Sequence, residues 1–191
     1  SMLTLRFSQN NLKETNKFEL YLEDEGQLEG LPESAVEAAV CAAREKGKDH
    51  GWLFTLHAPS YVPFMKYCKC RELRKRMYMA YNTQCTHDDE LNNFEIVKQL
   101  VNTRMELAHL LGYSNYAEYV LKKRMAENSS KVYTLLEELI ATYKPVAIEE
   151  DEEVKQLAQK MEGADFELMP WDFSYYSEKL KNEKDQFDEE E

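Results

Sequence analysis

Trp52-Leu53-Phe54-Thr55-Leu56-His57-Ala58-Pro59-Ser60-Tyr61-Val62-Pro63-Phe64-Met65 decides how the rest of the chain is read, because a strand signal, a turn and a helix start meet in it. Residues 52–56 are aromatic, β-branched or apolar without a 3.6-residue repeat, which predicts a short strand. Pro59 closes that run. From Tyr61 the apolar spacing predicts a helix in two pieces, one to Cys68 and one from Arg71, with Leu73, Met77 and Ala80 or Tyr81 turned inward. Arg71, Arg74, Lys75 and Arg76 form the charged face of the second piece. A lone strand leaves its backbone donors and acceptors unpaired. Thr4-Leu5-Arg6-Phe7, or a segment outside this sequence, is the expected partner.

Upstream, Leu12, Phe18 and Leu22 are read as one amphipathic helix ended by Gly26. A second helix opens at Pro32, carries Val36, Ala39, Val40 and Ala43 on one stripe, and stops at Gly47. Downstream, polar residues 83–90 lead to a long helix marked by Phe94, Val97, Leu100, Val101, Met105, Ala108 and Leu111, with Gly112 as its stop. A short helix holding Tyr119, Val120 and Leu121 follows. Ser129 or Ser130 is expected to cap a further long helix, and Pro145 to kink or divide it. The pattern resumes at Val154, Leu157, Ala158 and Met161 before Gly163, and Asp172 is expected to cap a terminal helix. The fold class is mainly α, a multi-helical segment with one short β-strand or hairpin near residues 51–57. A sub-boundary is expected near 126–130, and residues 183–191 read as an acidic, disordered tail.

A chain of 191 residues with 43% hydrophobic content can build one good core or two small ones. Twelve tyrosines and eight phenylalanines supply buried area, whereas six glycines and five prolines are too few for a sandwich of many tight turns. The net charge of -12 repels phosphate backbones and anionic headgroups, so neither nucleic acid nor a membrane surface is an expected partner. No stretch has the length and apolarity of a membrane span, and the start lacks the order of a secretion signal. Ser1-Met2 is what a cleaved expression tag leaves. Four cysteines are too sparse for a disulfide scaffold; free thiols in a reducing, cytoplasmic compartment are expected.

Cys68-x-Cys70 and Cys85-x-His87 supply ligand types that hold structural zinc. Residues two apart on a helix diverge by about 200°, however, so Cys68 and Cys85 are read as small core residues. His87-Asp88-Asp89-Glu90 reads as a solvated helix approach rather than a cation or acid-base site. The Arg71, Arg74, Lys75 and Arg76 cluster is expected to pair within an acid-rich chain. Tyr175 and Tyr176 are expected to anchor their helix to the core. No Gly-x-Ser-x-Gly nucleophile signature and no glycine-rich phosphate loop is present.

Leu31-Pro32-Glu33-Ser34, residues 52–65, residues 71–85, Leu110-Leu111-Gly112-Tyr113-Ser114, Met125-Ala126, Lys144-Pro145 and Trp171-Asp172-x-x-Tyr175-Tyr176 occur in an order and at spacings that carry a resemblance. The series resembles the M3 family of zinc metallopeptidases, which holds thimet oligopeptidase, oligopeptidase A and peptidyl-dipeptidase. Gln84 is a departure, standing where the family pattern carries arginine. The resemblance implies a mostly helical enzyme with two lobes around a deep channel that admits short peptides.

It also implies a His-Glu-x-x-His motif, in which two histidines one turn apart hold zinc and the glutamate activates its water. That motif is missing, since His50, His57, His87 and His109 are never four apart. The family's zinc ligands, general base and transition-state groups lie C-terminal to the matched region, so no catalytic, cofactor-binding or metal residue is assigned to this chain. The expectation is an internal, non-catalytic helical segment, inactive alone, that contributes channel wall and scaffold to a parent enzyme whose zinc is held elsewhere. A stand-alone helical interaction module is the second reading, and a small structural-zinc protein using Cys68, Cys70, Cys85 and His87 the third. A module predicts a closed core, whereas an enzyme segment predicts a large exposed apolar surface and self-association through it.

Overall fold

The structure, a computed structural model, describes residues 2–188, with side chains described through residue 185. In chain order the elements are α1 (Met2–Lys17), β1 (Leu20–Leu22), a 3-10 turn (Glu25–Leu28), α2 (Glu33–Glu45), β2 (Trp52–Phe54), α3 (Ala58–Tyr67), α4 (Arg71–Asn82), α5 (Phe94–Leu110), α6 (Tyr116–Leu121), α7 (Ser129–Glu162) and α8 (Pro170–Asp188). The fold is mainly α with one two-stranded antiparallel sheet.

The expected strand is β2, but its partner differs from the expectation. Thr4 to Phe7 lie within α1, and β1 pairs with β2 in the register Leu20↔Phe54, Tyr21↔Leu53, Leu22↔Trp52. The reading of Leu12, Phe18 and Leu22 as one helix is corrected accordingly, since α1 ends at Lys17. Leu20 and Leu22 are buried while Tyr21 between them is half-exposed, the period of two that a strand imposes. Three residues are too few to announce that period in a sequence. Gly51 brings β2 close to β1: a Cβ there would sit 2.6 Å from Tyr21 Oη and 2.7 Å from Leu22 O, at φ +82°. Tyr21 Oη instead donates to His50 O at 2.7 Å.

The main core lies under this sheet and between α2, α3 and α4. Leu20, Leu22, Phe54, Leu56, Phe64 and Met77 meet there, and Phe54 meets Phe64 edge to face at 4.8 Å. A second core joins the C-terminal third of α7 to α8 through Val154, Ala158, Tyr175 and Tyr176. Because α8 also packs on α3 and α4, it ties the two cores together.

Two further expectations change. Asn128 caps α7 in place of Ser129 or Ser130, its side-chain oxygen accepting the Lys131 N–H at 3.0 Å. Of the kink or division expected at Pro145, the division does not occur: α7 runs unbroken for 34 residues, because a proline removes one donor and the turns on either side keep theirs. Of the stretch expected as a tail, residues 183–188 continue α8, and 189–191 lie outside the described residues. No helix among the described residues is long and apolar enough to cross a membrane.

Candidate functional site

The helical repeat places Arg71 and Arg74 on one side of α4, three residues apart. Both reach Asp172, in the first turn of α8. Arg71 Nε donates to the two carboxylate oxygens at 3.1 and 3.0 Å and Arg71 Nη2 donates at 2.7 Å, while Arg74 Nη2 donates at 2.8 Å. Asp172 is 0% and Arg74 1% exposed, so this is a buried ion pair with a third, half-exposed member. Arg74 spends its other donors on the carbonyls of Cys68 (2.8 Å), Lys69 (3.1 Å) and Trp171 (3.3 Å). Its guanidinium also lies 4.2 Å from the centre of the Tyr175 ring.

Burial pushes the Asp172 carboxyl up, but the hydrogen bonds from Arg71, Arg74 and the Met169 N–H outweigh it and hold the group below its ordinary value. The same bond to Asp172 raises Arg71. A second tether joins α8 to α3, where Glu178 accepts from Lys66 Nζ and Tyr67 Oη, each at 2.9 Å.

The clamp also shapes the chain ahead of α8. Residues 166–169 run without helix or strand pairing. Three side chains hold their backbone: Gln159 donates to Phe166 O at 3.4 Å, Arg71 to Glu167 O at 2.9 Å, and Asp172 accepts the Met169 N–H at 3.1 Å. Arg71 lies 4.5 Å from the centre of the Phe166 ring. Between this segment and α7 opens a cleft of about 840 Å³, whose lining includes Ile148, Glu152, Lys155, Phe166, Leu168 and Phe173.

The other sequence candidates fall apart or become structural. Cys68 is fully buried and its Sγ faces the Gln27 and Cys70 carbonyls; burial pushes its thiol up to about 11. Cys70 is half-buried at the N-cap of α4, Cys85 is buried, and His87 is exposed in the loop before α5. The four do not gather, and no group of three or more His, Cys, Asp or Glu among the described residues could hold a metal ion. In the His87 to Glu90 run, Asp89 accepts the Leu91 N–H at 2.9 Å and Lys17 Nζ at 3.5 Å, which makes it a turn lock. Gln84 Nε2 donates to Thr15 Oγ1 at 2.8 Å, holding α1 against the end of α4.

Tyr175 and Tyr176 anchor α8, and Arg71 and Arg74 pair within the chain, as expected. Arg74, expected on the charged face of its helix, is buried, and Asp172, expected as the cap of the terminal helix, lies within the first turn of α8, which starts at Pro170, at the centre of the clamp. The available signal for Arg74 was its place three residues before Met77, beside the inward stripe.

Comparison with known proteins adds a family. Residues 64–191 match peptidase family M3. The chain is 41% identical over 185 residues to oligopeptidase A of Haemophilus influenzae, covering 95% of this chain and 27% of that protein. It is 38% identical over 196 residues to the organellar oligopeptidase A, chloroplastic/mitochondrial, of Arabidopsis thaliana, covering 99% and 24%. With dipeptidyl carboxypeptidase of Escherichia coli it shares 29% identity over 187 residues, covering 98% and 27%. The chain thus spans about a quarter of the length of the curated relatives it matches.

Proposed function

The chain belongs to peptidase family M3, and from that premise we propose that it is a non-catalytic helical segment of a zinc-dependent oligopeptidase that hydrolyses short peptides. Its part is to supply channel wall and scaffold. The observation that carries this reading is the surface of α7. Every residue from 133 to 153 is exposed, and Leu135, Leu136, Leu139, Ile140, Tyr143 and Val146 among them are 42–63% exposed. An apolar run of this length on a 34-residue helix is unlike the scattered exposed residues of a closed domain and calls for cover. A self-contained interaction module would bury most of it.

The zinc of the parent enzyme would be held by residues outside this sequence, which has no His-Glu-x-x-His and no metal-holding group among its described residues. Alone, the chain would self-associate through the α7 surface, and its free thiols suit a reducing cytoplasmic compartment.

The test compares the parent reading frame with the 191-residue chain on a quenched fluorescent short peptide. The parent cleaves it, loses activity to a chelator and regains it with zinc; the chain alone does neither. Chelator-sensitive cleavage by the purified chain, or stoichiometric zinc whose removal unfolds it, would overturn the assignment.

A further inference from the structure

We propose that Tyr61 of α3 and Tyr81 of α4 form a modification site, at which peroxide and a haem peroxidase join the two phenol rings by a carbon-to-carbon bond. The ring centres lie 4.4 Å apart and the planes are 21° from parallel, so the rings stack. Tyr61 stands in the first turn of α3 and Tyr81 in the last turn of α4, at the open end of this helical pair. At its closed end, Arg74 donates to the carbonyls of Cys68 and Lys69. The stacked tyrosines hold the open end.

Geometry and access select this pair. Coupling needs a carbon beside the hydroxyl-bearing carbon of one ring to meet its counterpart in the other, and near-parallel rings at this distance bring such carbons face to face. Tyr175 and Tyr176 stand at 89° with 5.0 Å between centres, and they are 7% and 2% exposed. They offer an edge to a face, out of reach of an oxidant. Tyr119 lies 5.5 Å from Tyr113 and 5.9 Å from Tyr116, at 57° and 52°, so neither of those pairs stacks. Tyr81 is 45% exposed and meets the oxidant, while half-buried Tyr61 yields its electron across the stack. Burial, with Tyr81 and Tyr78 nearby, pushes the Tyr61 phenol up to about 12, so it keeps its proton until it is oxidised.

Each phenol loses one electron and one proton and becomes a phenoxyl radical. The two radicals form one bond between ring carbons next to the oxygens; each joined carbon then releases its hydrogen as a proton, and each oxygen takes one up. One hydrogen peroxide accepts the two electrons and two protons and leaves as two waters, with the peroxidase unchanged. The product is a staple between α3 and α4 that restricts the unfolded chain as a disulfide does. It needs neither zinc nor a peptide substrate, so it stands apart from the peptidase reading.

The test treats the 191-residue chain with hydrogen peroxide and a haem peroxidase and takes the monomer band from a reducing, denaturing gel. The band should gain the blue fluorescence of dityrosine, and mass spectrometry of its protease digest should find the peptides that hold Tyr61 and Tyr81 joined, lighter by two hydrogen atoms than their sum. Tyr61→Phe and Tyr81→Phe keep both rings, so the circular dichroism should not change, and each variant should lose most of the monomer fluorescence. Tyr119→Phe, which removes the member shared by the two unstacked pairs, should keep it. In urea the joined monomer should unfold at a higher midpoint than the untreated chain.

A monomer without the fluorescence overturns the proposal, as does full fluorescence in either variant at 61 or 81. Joined peptides from any other tyrosine pair, or coupling confined to bands of two or more chains, overturn it as well. An unchanged urea midpoint refutes the staple.

Discussion

Replacing Asp172 with alanine tests the clamp most directly. The change removes the acceptor shared by Arg71, Arg74 and the Met169 N–H, and it strands Arg74 at 1% exposure. Deleting one partner of a buried ion pair costs about 3–5 kcal/mol. Arg74 keeps three carbonyl acceptors and the face of Tyr175, whereas Arg71 can turn its half-exposed end to water, so the loss belongs near the lower bound, about 3 kcal/mol. With a urea slope of about 2 kcal/mol per molar, the unfolding midpoint falls by about 1.5 M.

The assay is urea unfolding followed by circular dichroism and by fluorescence in a Trp52→Phe background, where Trp171 beside the clamp is the reporter. The paired replacement Arg74→Met/Asp172→Leu should recover part of the loss, because it leaves no unpaired buried charge, although the carbonyls of Cys68, Lys69 and Trp171 lose their donor. A midpoint within about 0.3 M of the parent chain for Asp172→Ala would refute the reasoning, since that is the range of an ordinary surface change.

The pH dependence follows from the same group. A carboxyl held below its ordinary value contributes in full above the unfolded range near pH 4 and loses that contribution as pH falls through its folded value. Urea midpoints measured from pH 7 to pH 3 should therefore fall more steeply for the parent chain than for Asp172→Asn; parallel curves would contradict this. Gly30→Ala should lower the thermal midpoint by about 4–8 °C, the effect of about 2 kcal/mol, because φ is +89° and a Cβ would run into Tyr67 O. Differential scanning fluorimetry reads that shift, and an unchanged midpoint counts against the turn as described. With an aromatic disulfide reagent at pH 8, exposed Cys41 should label quickly. Cys68, buried with its thiol pushed up to about 11, should label only on unfolding; mass spectrometry distinguishes the two, and rapid native labelling of Cys68 would show that its burial is transient.

Within the sequence, helices with strong punctuation could be read well. α2 follows Pro32 and stops before Gly47, α5 stops before Gly112 and α7 before Gly163, because caps and breakers act over a few neighbouring residues. The strand at Trp52 could be read from its run of aromatic and apolar residues. Its partner could not. Leu20 to Leu22 is three residues long and stands thirty-two residues away, and pairing at that distance leaves no mark on local composition. The cap on α7 is Asn128 rather than Ser129 or Ser130, because all three are good cap formers and only backbone geometry separates them.

What the sequence by itself determined is the helical class, the position of one strand, the absence of a zinc-peptidase motif and a resemblance to one peptidase family. These rest on interactions within a turn or two of the chain, or on an ordered series of short motifs. Only the tertiary structure decided that Arg74 and Asp172, 98 residues apart, form a buried pair, that the same pair holds residues 166–169 beside a cleft, and that the apolar face of α7 stays uncovered. Long-range electrostatic pairing and burial depend on which surfaces meet in space, and a helix's own periodicity says which face is apolar without saying what lies against it.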